Sequence, residues 1–178
     1  MDVKFLFVKL IAKITRNPNE FVNNYYRKQG VVIGKDCNIC SNILTTEPYL
    51  LEIGDNVTIS TDVLFITHDA SVGKIFGKEI ASDICGKIRV GNNCFIGARS
   101  TVLYGVTLAN NIIVAAGSTV TKSFVEENII IAGNPAKIIG HWEDFANKIK
   151  NNTYMLHGKK GNKAKAVVLS NVEKLIIR

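Results

Sequence analysis

The sequence predicts an all-β solenoid assembled from a six-residue repeat, and three observations carry that prediction. From Val90 an aliphatic residue stands at every sixth position: Val90, Ile96, Val102, Leu108, Val114 and Val120. A small residue follows four of these, as Gly91, Gly97, Ala109 and Ala115. Four residues after each aliphatic comes a second small or apolar side chain: Cys94, Ser100, Val106, Ile112, Ser118 and Phe124. A period of six fits neither a helix nor a simple hairpin. It fits a short strand and a sharp corner, repeated, with three such units closing one coil and successive coils stacking in parallel. The aliphatic positions become interior columns, each Ile or Val contributing roughly 1.5–3 kcal/mol by burial, and Gly, Asn and Asp supply the corners.

The same grammar appears upstream, as Ile33-Gly34-Lys35-Asp36-Cys37-Asn38 followed by Ile39, and as Ile53-Gly54-Asp55-Asn56-Val57-Thr58 followed by Ile59 and Phe65. The phase breaks twice, near Thr45 to Leu51 and across Ser71 to Lys87. Before the repeat, Leu6, Leu10 and Ile14 recur at helical spacing among Lys4, Lys9 and Lys13, so residues 1–29 read as a helical segment. This stretch is too short and too charged to span a bilayer. A basic helix can pack on the main domain or lie on anionic lipid, so peripheral membrane contact is a second expectation for it. Beyond the repeat, Trp142 to Lys150 reads as a short helix and Asn151 to Asn162 as a polar loop. Ala164 to Ile177 reads as a second helix, with Ala166 to Leu169 also compatible with a strand. The division expected is 1–29, a solenoid over 30–139 with a loop at 69–88, and a helical tail over 140–178.

In 178 residues, 47% hydrophobic and 21% charged, a packed core is within reach and wholesale disorder is not expected. The net charge of +7 favours anionic partners. No alternation of aromatic and basic residues of an RNA-binding kind is present, so nucleic acid is not expected. Cys37 and Cys40 form a CxxC, but no second CxxC or HxxxH supplies the other half of a zinc site, so no metal is expected. No cleavable leader is read at the N-terminus, which points to the cytoplasm, including the inner face of the membrane.

The strings Val90-Gly91-Asn92-Asn93-Cys94-Phe95-Ile96-Gly97, Ala115-Ala116-Gly117-Ser118-Thr119-Val120-Thr121-Lys122 and Ala132-Gly133-Asn134-Pro135-Ala136-Lys137 together resemble the hexapeptide-repeat acyltransferases. The resemblance spans roughly Gly30 to Ile139 and implies a left-handed parallel β-helix, against the usual crossover hand. It also implies a homotrimer with active sites between subunits, and acetyl-CoA as acyl donor. The Thr67-His68-Asp69 context and the loop behind it look like those of bacterial capsule and O-antigen O-acetyltransferases, which implies a saccharide acceptor.

Long loops in compact domains are often functional, and His68 stands at the base of the longer excursion. His141 and His157 lie beyond the repeat. In the family a histidine in that place is the general base, a task imidazole suits because it ionises near neutrality. Three carboxylates are candidates to fix its tautomer: Glu79 in the loop, Asp83, and the adjacent Asp69, which an extended chain turns to the opposite face. The resemblance assigns CoA to Ala98, Ala116, Thr121 and Lys122, with Lys137 as a second cation. The proline usual after that lysine is missing from Ser123-Phe124-Val125-Glu126-Glu127. Competing readings are N-acetylation of a nucleotide-linked amino sugar, serine O-acetylation, a carbonic-anhydrase-like zinc enzyme, and a non-catalytic assembly module. The zinc enzyme would need three histidines within the repeats, where only His68 lies.

Overall fold

The computed structural model describes residues 3–77, 83–156 and 158–176. Two helices come first, α1 (Val3–Ala12) and α2 (Pro18–Arg27). Asn17 caps α2 by accepting the Glu20 N–H at 3.2 Å, and Pro18 occupies the first turn, where no N–H is needed.

The chain then visits three parallel sheets in rotation. The first coil contributes β1 (Val32–Ile33) and β2 (Asn38–Ile39), and the second β3 (Leu51–Ile53), β4 (Thr58–Ile59) and β5 (Leu64–Ile66). An excursion follows, with β6 (His68–Asp69), α3 (Val72–Phe76) and β7 (Ile84–Cys85); β6 and β7 pair antiparallel at its base. The third coil is β8 (Ile88–Val90), β9 (Phe95–Ile96) and β10 (Thr101–Leu103); the fourth is β11 (Thr107–Leu108), β12 (Ile113–Val114) and β13 (Thr119–Val120). Phe124 bridges to Leu108, and β14 (Ile129–Gly133) and β15 (Ala136–His141) extend the second sheet. The sheet orders are β1-β3-β8-β11, β15-β14-β12-β9-β4-β2 and β13-β10-β5.

The expected interior columns are present. Ile33, Ile53, Val90 and Leu108 line the first face, Ile39, Ile59, Ile96, Val114 and Ile131 the second, and Phe65, Val102 and Val120 the third, all buried. Cys37 and Cys94 also face inward, donating to the Gly54 and Ala109 carbonyls at 3.0 and 3.2 Å, and burial pushes both thiols up. The corner between the first two faces needs a left-handed backbone, and Asp36, Asn56, Asn93, Asn111 and Asn128 supply it with φ between 53° and 60°. Their side chains also join the coils, Asn56 Nδ2 to Asn93 Oδ1 at 2.7 Å and Asn93 Nδ2 to Asn111 Oδ1 at 2.8 Å. The small residue after each aliphatic has a steric cause at Gly97, where a Cβ would fall 2.5 Å from the Ala116 nitrogen of the next coil.

The open edge of the first coil would strand its carbonyls. The helical segment covers it: Arg27 donates to Ile33 O at 2.9 Å and Gly34 O at 2.5 Å, Asn23 to Cys37 O at 2.9 Å, Tyr26 to Ser41 O at 3.1 Å, and Lys9 to Ile39 O at 2.7 Å. Residues 1–140 accordingly form one compact unit. Residues 141–178 form a second, with α4 (Trp142–Ile149) and α5 (Asn162–Leu169). The helix expected over Ala164 to Ile177 stops at Leu169, where Asn171 turns its side chain back to the Val167 carbonyl at 2.9 Å and closes the last turn.

Candidate active site

Each coil ends its third face at a corner, and at the end of β5 that corner holds Thr67 and His68. Thr67 is buried and His68 turns outward, its side chain 38% exposed. Stacking decides what lies beside them. Ile33 pairs with Ile53 and Ile39 with Ile59, so the first coil lies twenty residues behind the second. The neighbours of residues 67 and 68 therefore come from the first phase break, as Thr45, Thr46 and Glu47.

Glu47 Oε2 lies 2.8 Å from His68 Nδ1 and accepts the Thr67 hydroxyl at 2.7 Å, while Oε1 accepts the Thr46 hydroxyl at 2.6 Å. The Glu47 N–H donates to Thr45 Oγ1 at 3.2 Å, and the Thr45 and Thr67 hydroxyls touch. Because Thr67 donates to the carboxylate, the shared proton between the two threonines comes from Thr45. The circuit closes with every donor used. The Thr46 hydroxyl first, then the Thr67 hydroxyl and the imidazole, hold the Glu47 carboxyl down at about 2. An ionised carboxylate only accepts, so the proton of neutral His68 sits on Nδ1, and Nε2 keeps its lone pair. His68 also lines a cavity of about 410 Å³ with Tyr25, Gln29, Asn42, Leu44 and Thr46. That combination, an oriented imidazole with a free lone pair beside a cavity, is what proton abstraction from a bound hydroxyl requires.

The three carboxylates expected as partners fare differently. Glu79 lies outside the described residues. Asp69 is engaged elsewhere: Oδ1 accepts the Ser71 N–H at 2.8 Å and Oδ2 the Tyr104 hydroxyl at 3.3 Å. Ser71 is the main reason its carboxyl sits below the usual range. Asp83 is exposed and precedes β7. Sequence reasoning missed Glu47, for which the available signal was the phase break one coil upstream of the histidine.

The residues expected at CoA divide between two edges. The Ala98 carbonyl accepts the Gly117 N–H at 2.8 Å, so Ala98 and Ala116 stack at the corner between the second and third faces. Thr121 and Lys122 follow β13, at the corner between the third face and the first, with Lys122 Nζ 5.6 Å from the Phe124 ring centroid. That is the edge on which His68 stands, two coils away, or about 10 Å at the usual strand spacing. Lys137 lies exposed on β15. Among the described residues no cluster of His, Cys, Asp and Glu could hold a metal ion.

Comparison with known proteins agrees with this architecture. Residues 87–122 match the family described as hexapeptide repeat of succinyl-transferase. The chain is 41% identical over 153 residues to Protein CapG of Staphylococcus aureus, covering 84% of this chain and 85% of that one. It is 31% identical over 112 residues to galactoside O-acetyltransferase of Escherichia coli, covering 63% of this chain and 54% of that protein, about half its length. Among solved structures, a galactoside acetyltransferase in complex with coenzyme A superposes with a TM-score of 0.56 at 20% identity, covering 83% of this chain and 86% of that one. A maltose O-acetyltransferase from Clostridium difficile gives 0.54 at 19%, covering 79% and 89%. At these identities the two structures bear on the fold.

Proposed function

Because the chain belongs to the hexapeptide-repeat acyltransferase family, we propose that it moves an acetyl group from acetyl-CoA to a hydroxyl of a saccharide, with His68 as general base. The Glu47–His68 pair beside the cavity is the observation that carries this reading. Nε2 takes the proton of the acceptor hydroxyl as its oxygen bonds to the thioester carbonyl carbon. The C–S bond then breaks, and the departing thiolate takes the same proton from the imidazolium to leave as CoA. The described residues lining the cavity offer tyrosine, amide and hydroxyl groups and no Asp, Glu, Lys or Arg. Such a lining suits a neutral polyol better than a phosphate or a cation. Glu47 occupies Nδ1, so Glu79, in the excursion, is assigned to the acceptor. The Thr67-His68-Asp69 context supports a bacterial surface polysaccharide as that acceptor, and family membership supports a left-handed coil.

For the donor, Ala98 and Ala116 are small enough for the pantetheine arm to lie against the backbone, and Thr121 is assigned to the same donor from the Lys122 edge. Lys122 gives a point charge to the phosphates, with Lys137 as a second cation. Ala98 and Ala116 are one face away from the edge of His68 and Lys122. Two copies of the chain would bring the two edges together, which supports a homotrimer with its active sites between subunits. Sedimentation should give a trimer at micromolar concentration, and a monomer there would overturn this arrangement.

The activity is tested by following thiol release from acetyl-CoA across a panel of hexoses and oligosaccharides. Acceptor-dependent release is expected. Binding of acetyl-CoA with no release for any acceptor would instead favour an assembly module. Lys122→Ala should raise KM for acetyl-CoA roughly fivefold to tenfold, as expected for a lost charge-assisted contact, with kcat less affected. The difference should shrink as salt rises. A KM that does not move at any salt concentration would return Lys122 to the solvated surface.

A further inference from the structure

Helix α1 buries one face and exposes another that is as apolar. At 3.6 residues per turn Phe5, Val8, Lys9 and Ala12 share a face, and this is the side turned to the protein. Phe5 and Ala12 are buried, the Phe5 ring lies 6.0 Å from that of Tyr26, and Lys9 Nζ reaches the Ile39 carbonyl. The opposite face should be polar in a helix that ends at water. Instead it carries Val3, Phe7 and Leu10, with Ile14 in the following turn; Phe7 and Leu10 are each 59% exposed and Ile14 86%. Leu6 and Ile11 widen the stripe, both exposed. Lys4 and Lys13 flank it, one on each side, and Arg16 follows. From Val3 to Asn19 the chain has four basic residues and no acidic one.

We propose that this face of α1 docks on an anionic lipid surface. A contiguous apolar stripe of this kind on a soluble domain marks an interaction surface. Its charges select the occupant. Flanking lysines can bury their stems and hold their ammonium groups at headgroup level, and each basic side chain near an anionic leaflet adds attraction. The same face of a second copy would set lysine against lysine, a repulsive arrangement. Among the described residues no helix is long and apolar enough to cross a membrane, so the contact is interfacial. The proposal is independent of the acyl-transfer reading and stands on the geometry of α1 alone.

Vesicle flotation of the full chain tests it, with phosphatidylcholine alone and with about a third phosphatidylglycerol, enough to give a strongly anionic surface. The wild type should float with the anionic vesicles and lose binding as salt is raised. Phe7→Ser with Leu10→Ser should lower the partition coefficient at least about tenfold. Lys13→Glu with Arg16→Glu should abolish the preference for anionic over neutral vesicles. These last two side chains are exposed, so that variant decides the question if the first fails to fold. A wild type that stays in solution with both vesicles overturns the proposal, as does a Phe7/Leu10 variant that floats unchanged. A Phe7/Leu10 variant whose oligomeric state changes overturns it as well, and assigns the face to contacts between copies.

Discussion

His68→Ala should lower kcat by at least about a hundredfold while acetyl-CoA binds with near-native affinity. A sugar hydroxyl is a poor nucleophile at neutral pH, and a positioned base contributes typically about 10²–10⁴-fold. The substitution removes the only lone pair that the Glu47 circuit leaves open on the imidazole. It should leave the fold intact, because His68 borders a loop and no interior column depends on it. The variant's sedimentation should match wild type, which separates lost chemistry from lost assembly. Turnover within threefold of wild type by an assembled His68→Ala protein would remove the mechanism, and another base or the assembly-module reading would have to replace it.

Much of the fold is legible because the coil is a local rule repeated. Each aliphatic position meets its counterpart one coil away, so period alone places Val90 beside Leu108 and Ile96 beside Val114. The Asn corners are legible for the same reason, since a left-handed φ restricts the choice of residue wherever the corner recurs. What the period cannot give is the closure of the first coil. The residues that satisfy its carbonyls, Asn23, Tyr26 and Arg27, sit on a helix outside the repeat. Nothing in their spacing announces which carbonyls they will meet. The end of α5 at Leu169 was hidden differently, because Val172, Leu175 and Ile176 continue a helical pattern that Ser170 and Asn171 interrupt.

At the site, His68 is legible from its place at a break in the repeat, and its carboxylate is not legible from proximity in sequence. Asp69 is adjacent yet faces Ser71 and Tyr104, as alternation along an extended chain dictates. Glu47 lies 21 residues back but one coil away, so the distance that matters is the coil step. The insertion near Thr45 to Leu51 changes that step from the eighteen residues between the third and fourth coils to twenty between the first and second. That change shifts which residue arrives beside the histidine. The two edges of the CoA assignment are hidden for a related reason: a linear motif from Ala115 to Lys122 turns a corner partway along.

Glu47 gives the second large effect. Glu47→Gln keeps the side chain's shape and removes its charge, so the ring loses the acceptor that fixes Nδ1–H and faces an amide that can present N–H instead. The fraction of His68 with its lone pair on Nε2 should fall, and with it kcat, by roughly tenfold to a hundredfold, a part of the 10²–10⁴ a base supplies. KM for acetyl-CoA should stay near wild type, because the Glu47 carboxylate is engaged with Thr46, Thr67 and His68, none of which is assigned to CoA. Glu47→Ala should cost at least as much, since the Thr67 hydroxyl, buried, then loses its acceptor too. The charge also predicts a dependence of stability on pH. The folded carboxyl is held at about 2 against an ordinary 4.5, chiefly by the Thr46 hydroxyl. Its ionised form therefore favours the folded state fully above about 4.5, and that contribution is lost as pH falls toward about 2. Thermal melts of wild type and Glu47→Gln should differ by a constant amount above that range and converge below it. A Glu47→Gln enzyme with wild-type kcat, or melting curves whose separation ignores pH, would show that the carboxylate neither sets the tautomer nor holds the first-coil break in place.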